Sequence, residues 1–184
     1  MRRLLILLVA VFATVTVGAV APAAAATTPY CGIRWGSLAK AHQSTAVAPL
    51  VNVRAGRHTC YDRLVFDLAD ARGFTAYSVR YGTAYAEGSG APLSLRGTDI
   101  EIVLDSPAYD SNGRPTFQPA RRTEVVDVSG FRTFRQVAWG GSFEGKTTIG
   151  LGVRGRLPFR VTVLDGSPGH PTGARVLIDV AHAW

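Results

Sequence analysis

The chain has 184 residues, 20 Lys and Arg against 13 Asp and Glu, a formal net charge of +7 and 47% hydrophobic residues. That length fits one domain with a real core, with room for an N-terminal extension. The basic excess is dispersed, with Arg121-Arg122 the only adjacent basic pair after residue 3, and no nucleic-acid motif accompanies it, so nucleic acid is not the expected partner.

In chain order, residues 1–26 have the three parts of an export leader. Arg2 and Arg3 form a positive start, residues 4–20 are apolar apart from Thr14, Thr16 and Gly18, and small residues follow to Ala26. The expected cut is after Ala26, with Ala23 and Ala25 as alternatives. The apolar run is short for a bilayer span, and no later segment is apolar enough for a transmembrane helix, so the mature chain is expected to have none. Without Arg2 and Arg3 the formal charge falls to +5, a value compatible with attraction to an anionic wall or membrane surface. The basic residues beyond the leader are Arg apart from Lys40 and Lys146, a bias that fits a GC-rich, actinobacterial-like source.

Residues 27–48 read as an N-terminal extension in which residues 35–41 could form a helical turn or two, with Trp35, Leu38 and Ala39 in one apolar stripe. Cys31 and Cys60 are the only cysteines. After export they are expected to form a disulfide that tethers the extension, the alternative being two buried thiols.

From residue 49 the hydrophobic period becomes two. Residues 50–55 alternate, and so do residues 61–68, where Leu64, Phe66 and Leu68 share one face. A turn follows at 70–73, then strands at 74–81 and 100–104. Residues 105–122 contain Pro107, Gly113, Pro115 and Pro119, which argue against a strand. Such a long connection is either functional or a lid packed by Tyr109 and Phe117. Further strands are expected at 124–128, 131–139, 147–154, 159–163 and 175–180, with a turn-rich loop at 165–173. Gly150 and Gly152 share a strand face, which permits close approach by a ligand or a neighbouring ring. Eight or nine short strands with almost no helix signal indicate an all-β antiparallel protein, a sandwich or a partly closed barrel.

One echo stands out: Arg63-Leu64-Val65-Phe66-Asp67-Leu68 has the same pattern as Arg175-Val176-Leu177-Ile178-Asp179-Val180. Within a strand the Arg and Asp are about 13 Å apart and cannot pair. They are either cross-strand partners or plain surface polarity.

Catalytic signatures are missing. His42, His58, His170 and His182 show no metal-ligand spacing, and there is no Gly-x-Ser-x-Gly nucleophile motif, phosphate loop or dinucleotide fingerprint. Asp105, Asp110, Glu124 and Asp127 could supply a carboxylate pair, but nothing singles out two of them. Neither a metal nor a cofactor is expected. What remains is recognition: Tyr77, Tyr81, Tyr85, Tyr109, Phe117, Phe134, Trp139 and Phe143 are more aromatics than one core assigns.

Several stretches together carry a family resemblance: residues 58–68, Val79-Arg80-Tyr81, residues 132–139, 141–154 and 157–161, and residues 175–182. They resemble the AMIN-like domain proteins of actinobacteria, exported proteins of uncharacterised function, over roughly residues 56–184. The resemblance implies an antiparallel β-sandwich of AMIN-like type, here over residues 49–184. It is distantly similar to the AMIN domains of murein amidases and secretins, which are non-catalytic, localise their partners in the envelope, and have peptidoglycan as a proposed ligand. The chain is expected to carry no attached catalytic domain, and it departs from those proteins in its residues 105–122 and in its candidate disulfide. The expected role is therefore a non-catalytic, secreted or wall-associated binding module for peptidoglycan or another wall glycan, with an anionic wall polymer as the partner that its charge would favour. The alternatives are a protein-interaction module that meets an envelope protein through a strand edge, and a cell-wall hydrolase. The candidate ligand surface is the strand 131–139 with the loop 140–146, offering Arg132, Phe134, Arg135, Gln136, Trp139 and Lys146. Strict alternation would put Arg132, Phe134 and Gln136 on one side and Arg135 and Trp139 on the other, one set being core.

Overall fold

The computed structural model describes residues 29–69, 75–164 and 173–184. The expected leader and its cleavage site lie outside the described residues. So do the turn at 70–73, the start of the third strand at Phe74, and residues 165–172 of the turn-rich loop, His170 among them.

Period-two alternation produces two antiparallel sheets that face each other as a sandwich. After a single 3₁₀ turn at Tyr30–Gly32, the strands are β1 Lys40–His42, β2 Leu50–Arg57, β3 Tyr61–Leu68, β4 Tyr77–Tyr81, β5 Thr98–Leu104, β6 Phe134–Phe143, β7 Lys146–Val153, β8 Phe159–Leu164 and β9 Arg175–Ala181. One sheet has the order β1-β4-β5-β7-β6 and the other β2-β3-β9-β8. The core is the zone where their inner faces meet. Leu64, Phe66 and Leu68 of β3 and Val176, Ile178 and Val180 of β9 pack against Ile100, Ile102, Leu104, Ile149 and Leu151 of the larger sheet. Burying each of these side chains contributes roughly 1.5–3 kcal/mol.

The structure departs from simple alternation in four places. Residues 35–41 form no helix: Gly36 bridges Phe159, and Lys40–His42 pairs along β4. A stretch that short cannot hold a helix by itself, and the open edge of β4 supplies backbone partners. Residues 124–128 form no strand. Only single backbone bonds, Val125 N to the Val137 carbonyl and Trp139 N to the Arg122 carbonyl, tie this segment to β6. The Asp127 carboxylate turns the chain away by accepting from Ser129 N, a local bond that competes with a ladder and holds the Asp127 carboxyl below its ordinary range. The third departure is a bulge in β2 between Leu50 and Asn52, which leaves Leu50 and Val53 both buried and Val51 exposed. The fourth is β6, where bulges at Phe134/Gln136 and Trp139/Gly141 reset the phase. Phe134, Val137 and Trp139 consequently all join the core, although strict alternation separates Phe134 from Trp139. β6 also runs through the expected loop at 140–146 to Phe143. It then turns back over Glu144 and Gly145, both at positive φ (47° and 80°), the backbone signature of a tight hairpin that matches strand twist.

The two same-face glycines of β7 admit a segment of the chain itself. A Cβ at Gly150 would press on Leu93 and Leu95, and one at Gly152 would overlap the Arg96 carbonyl. Residues 93–96 thus cross the outer face of the larger sheet at backbone distance.

The sheets are joined at one end by a buried carboxylate. Asp62 of β3 is fully buried. Its Oδ2 accepts from the backbone N–H groups of Thr133 (2.6 Å) and Phe134 (3.1 Å), where the chain enters β6, and its Oδ1 lies 3.0 Å from Nε2 of His182. The other ring nitrogen of His182 faces the Thr59 carbonyl. Thr133 Oγ1 donates to the Ala181 carbonyl, and Arg154 reaches the His182 carbonyl.

At the same end Cys31 and Cys60 are bonded, with Cα atoms 6.4 Å apart, as the sequence suggests. The bridge holds the 3₁₀ turn and Trp35 against β3, where the Trp35 and Tyr61 rings lie 5.9 Å apart.

Two stability predictions follow from this end of the sandwich. Asp62→Ala leaves two buried N–H donors and a buried imidazole without their acceptor, and is expected to cost about 3–5 kcal/mol in urea unfolding; a loss under 1 kcal/mol would contradict the joint. Replacing both cysteines by Ser opens a loop of sequence separation 29 and should cost roughly 3–4 kcal/mol in the chain-entropy account, measured in the same assay.

Candidate functional site

A groove of about 420 Å³ opens beside the β6–β7 hairpin. Residues 105–122, the long connection, form one wall, contributing Tyr109, Phe117, Gln118 and Arg122; β6 forms the other with Trp139, Ser142 and Phe143; Glu87 closes one end. The connection is held down by its own backbone. Thr116 N donates to the Ala108 carbonyl and Leu50 N to the Pro107 carbonyl, and Thr116 Oγ1 donates to the Leu50 carbonyl. Phe117 packs on Trp139 with ring centroids 5.5 Å apart. Trp139 is therefore mostly buried, with one side lining the groove, whereas Phe143 is 52% exposed.

The polar groups beside these rings differ in how far they are engaged. Tyr109 Oη accepts from Gly145 N. Glu87 Oε1 accepts from Thr148 Oγ1 at 2.6 Å. Ser142 Oγ accepts from Ala108 N and donates to the Lys146 carbonyl, and it lies 3.0 Å from Thr147 Oγ1, whose own proton goes to the Ser106 carbonyl at 2.6 Å. A hydroxyl has one proton, and that of Ser142 rests on a backbone carbonyl rather than on a base that could activate it. The carboxylates considered for a catalytic pair lie apart in separate tasks. Asp105 pairs with Lys146 and Glu124 with Arg96. Asp110 caps its own turn through Asn112 N and Arg114 N, and Asp127 caps Ser129. The His182–Asp62 pair has both ring nitrogens engaged inside the joint, with Thr59 and Asp62, so it has no free nitrogen to offer a nucleophile. Among the described residues no group of three or more His, Cys, Asp or Glu could hold a metal ion.

The six candidate surface residues separate in space. Phe134 is buried and stacks on Phe131 at 5.8 Å. Gln136 is buried, accepting from Arg96 N and donating to the Thr123 carbonyl. Arg135, the bulge residue, donates to the carbonyls of Phe131, Arg132 and Phe134. Arg132 is exposed. Lys146, also exposed, pairs with Asp105 at 2.5 Å. Trp139 alone of the six lines the groove. Glu87, Gln118 and Arg122 escape sequence reasoning because loops distant in the chain bring them there; Tyr109, Phe117 and Phe143 carried the signal of surplus aromatics.

A second concave surface lies on the outer face of the smaller sheet, where the echo in the sequence becomes physical. β3 and β9 run antiparallel with Arg63 opposite Asp179 and Asp67 opposite Arg175. Asp179 is buried and accepts from Arg63 Nε at 2.6 Å and Arg160 Nε at 2.8 Å. The guanidinium of Arg160 lies over the Trp35 and Tyr61 rings at 5.4 and 5.3 Å. The bond to Asp179 raises the pKa of Arg63 against the opposing pull of burial. Arg54 is raised in the same way by Asp67, to which it donates through Nε and Nη2.

The disulfide and the family that its sequence matches make this sandwich an extracytoplasmic, cell-envelope related module. No helix among the described residues is long and apolar enough to cross a membrane. The AMIN-like domain profile matches residues 48–182, and the chain belongs to that family. No curated protein and no solved structure matches it.

Ser142→Ala tests the structural role of that hydroxyl. It strands Ala108 N without an acceptor and should lower unfolding stability by about 1–3 kcal/mol; an unchanged melting temperature would mean that the hydroxyl is not needed there.

Proposed function

We propose that the mature protein, residues 27–184 after export by the 1–26 leader, is a non-catalytic binding module of the cell envelope that takes a wall glycan in the aromatic groove, with peptidoglycan the leading candidate. Residues 27–48 are its tethered extension and residues 49–184 its AMIN-like domain. One observation carries the reading: Tyr109, Phe117, Trp139 and Phe143 converge on a single groove with a carboxylate, an amide and a guanidinium beside them. Ring faces suit the apolar faces of sugars, and a few fixed polar groups set orientation. Arg122 supplies positive charge in the groove for an anionic polymer, whereas Lys146 beside it is already paired with Asp105. Arg132 and Arg135 stand at the opposite end of β6 and take no part in this groove. Family membership adds the envelope setting. The non-catalytic part of the reading is supported by the Ser142 proton resting on a backbone carbonyl and by Glu87 being the only carboxylate among the described residues that line the groove.

The competing reading is a protein partner added to an open strand edge. It is favoured by β2, a terminal strand of its sheet on which Val51 is exposed.

Co-sedimentation of the mature protein with purified cell wall across a salt series separates the two. Retention is expected at low ionic strength and should weaken as salt rises. Phe143→Ala should reduce it by about three- to tenfold, the loss of one stacking ring, with the melting temperature unchanged. Protein that stays in the supernatant even at low salt would remove the glycan reading and leave the strand-edge partner in its place.

A further inference from the structure

The cationic depression on the smaller sheet is independent of the groove, and its residues point to a ligand of their own. It encloses about 240 Å³ on the outer face of β2, β3 and β9, over a floor of Val65 and Leu177. Arg54, Arg63 and Arg175 line it from three neighbouring strands, with His58 at one side.

The pairing there is uneven. Register puts Asp67 opposite Arg175, as it puts Asp179 opposite Arg63. The second pair forms; the first does not. Both Asp67 oxygens are occupied by Arg54 and one also by Asn52. Arg175 is left with no ion pair among the described residues, and its Nε is buried without a hydrogen-bond partner. Such an atom is an exception in a folded protein, because a buried donor loses its water and gains nothing in return. Arg54 and Arg63 use Nε and Nη2 on their carboxylates, which fixes both guanidiniums while each Nη1 stays outside those bonds. Counting Arg160, four guanidiniums share this sheet face with two carboxylates, Asp67 and Asp179, both already engaged.

We propose that this depression is an oxyanion-binding site that takes a phosphate or carboxylate group, with Arg175 as its principal donor. Arginine presents a planar fork that matches both groups. The ligand relieves repulsion among three like charges and gives the Arg175 guanidinium the anionic partner that it lacks among the described residues. Because two of the three guanidiniums are already held in place, little side-chain freedom is lost on binding. With no unengaged carboxylate among the described lining residues, the site discriminates against cations and neutral sugars.

The test is ¹H–¹⁵N NMR of the mature protein, following the arginine Nε–H signals during titration with inorganic phosphate and, separately, with acetate, sodium chloride holding the ionic strength constant. The expected result is a saturable shift of the Arg175 signal with at least one of the two anions, accompanied by the Val65 and Leu177 amides. The anion with the lower Kd identifies the group. Arg175→Gln should weaken binding about tenfold, the value of one charge-assisted hydrogen-bonding partner; Arg175→Lys should weaken it less, and Arg132→Gln should leave it unchanged. Shifts that do not saturate, or that chloride alone reproduces across all exposed arginines, would overturn the proposal. So would a folded Arg175→Gln variant that binds as the wild type does. Should that variant fail to fold, the wild-type Arg175 signal decides. The measurement involves no cell wall, so its outcome is separate from that of co-sedimentation.

Discussion

The fold depends on one buried carboxylate. Two sheets facing each other through hydrocarbon have no preferred sliding position, since apolar burial has no direction. Asp62 supplies the direction. It stands on the inner side of β3, where its neighbours Leu64 and Phe66 are apolar, and it fixes the first residues of β6 by accepting Thr133 N and Phe134 N. His182, just beyond β9, closes on the same carboxylate. Three segments remote in the chain thereby meet at one atom group. A carboxylate is suited to this because it offers several acceptor sites and gains most from N–H donors when water is excluded.

With the ends fixed, the two outer faces acquire different characters. The larger sheet is covered by residues 93–96, and the β6–β7 hairpin projects past that cover to meet residues 105–122. The aromatic groove forms where the two come together. Among the described residues, the smaller sheet is covered at its disulfide end, where Trp35 and Tyr61 shield Arg160 and the buried Asp179. Shielding strengthens that ion cluster by lowering the local dielectric. Away from the cover the same sheet keeps its excess of guanidiniums in contact with solvent. One face thus offers ring surfaces and the other positive charge.

The strands that alternate without interruption were legible to the residue. β3 occupies Tyr61–Leu68, the range that periodicity predicts, because its two faces see different surroundings and a one-residue slip would exchange them. β7 and β9 fall within a residue of expectation for the same reason. Periodicity misleads in β6 and β2, where bulges add one residue and shift the phase, and at 124–128, where apolar residues pack against β6 without forming a ladder. A bulge is the outcome of fitting a strand to its neighbour across the sheet, and a single strand's sequence does not contain that neighbour.

By itself the sequence determined the fold class, the family likeness and the cysteine pair, since these rest on local period and on particular residue strings. It also held the Arg–Asp echo, but not the outcome of that echo. Tertiary structure decided that β3 and β9 lie side by side, that Asp67 turns to Arg54, and that Arg175 is left over. It likewise decided that Trp139 faces a groove while Phe134 faces the core. Each outcome depends on competition among groups far apart in the chain, and only the closed sandwich brings the competitors within reach.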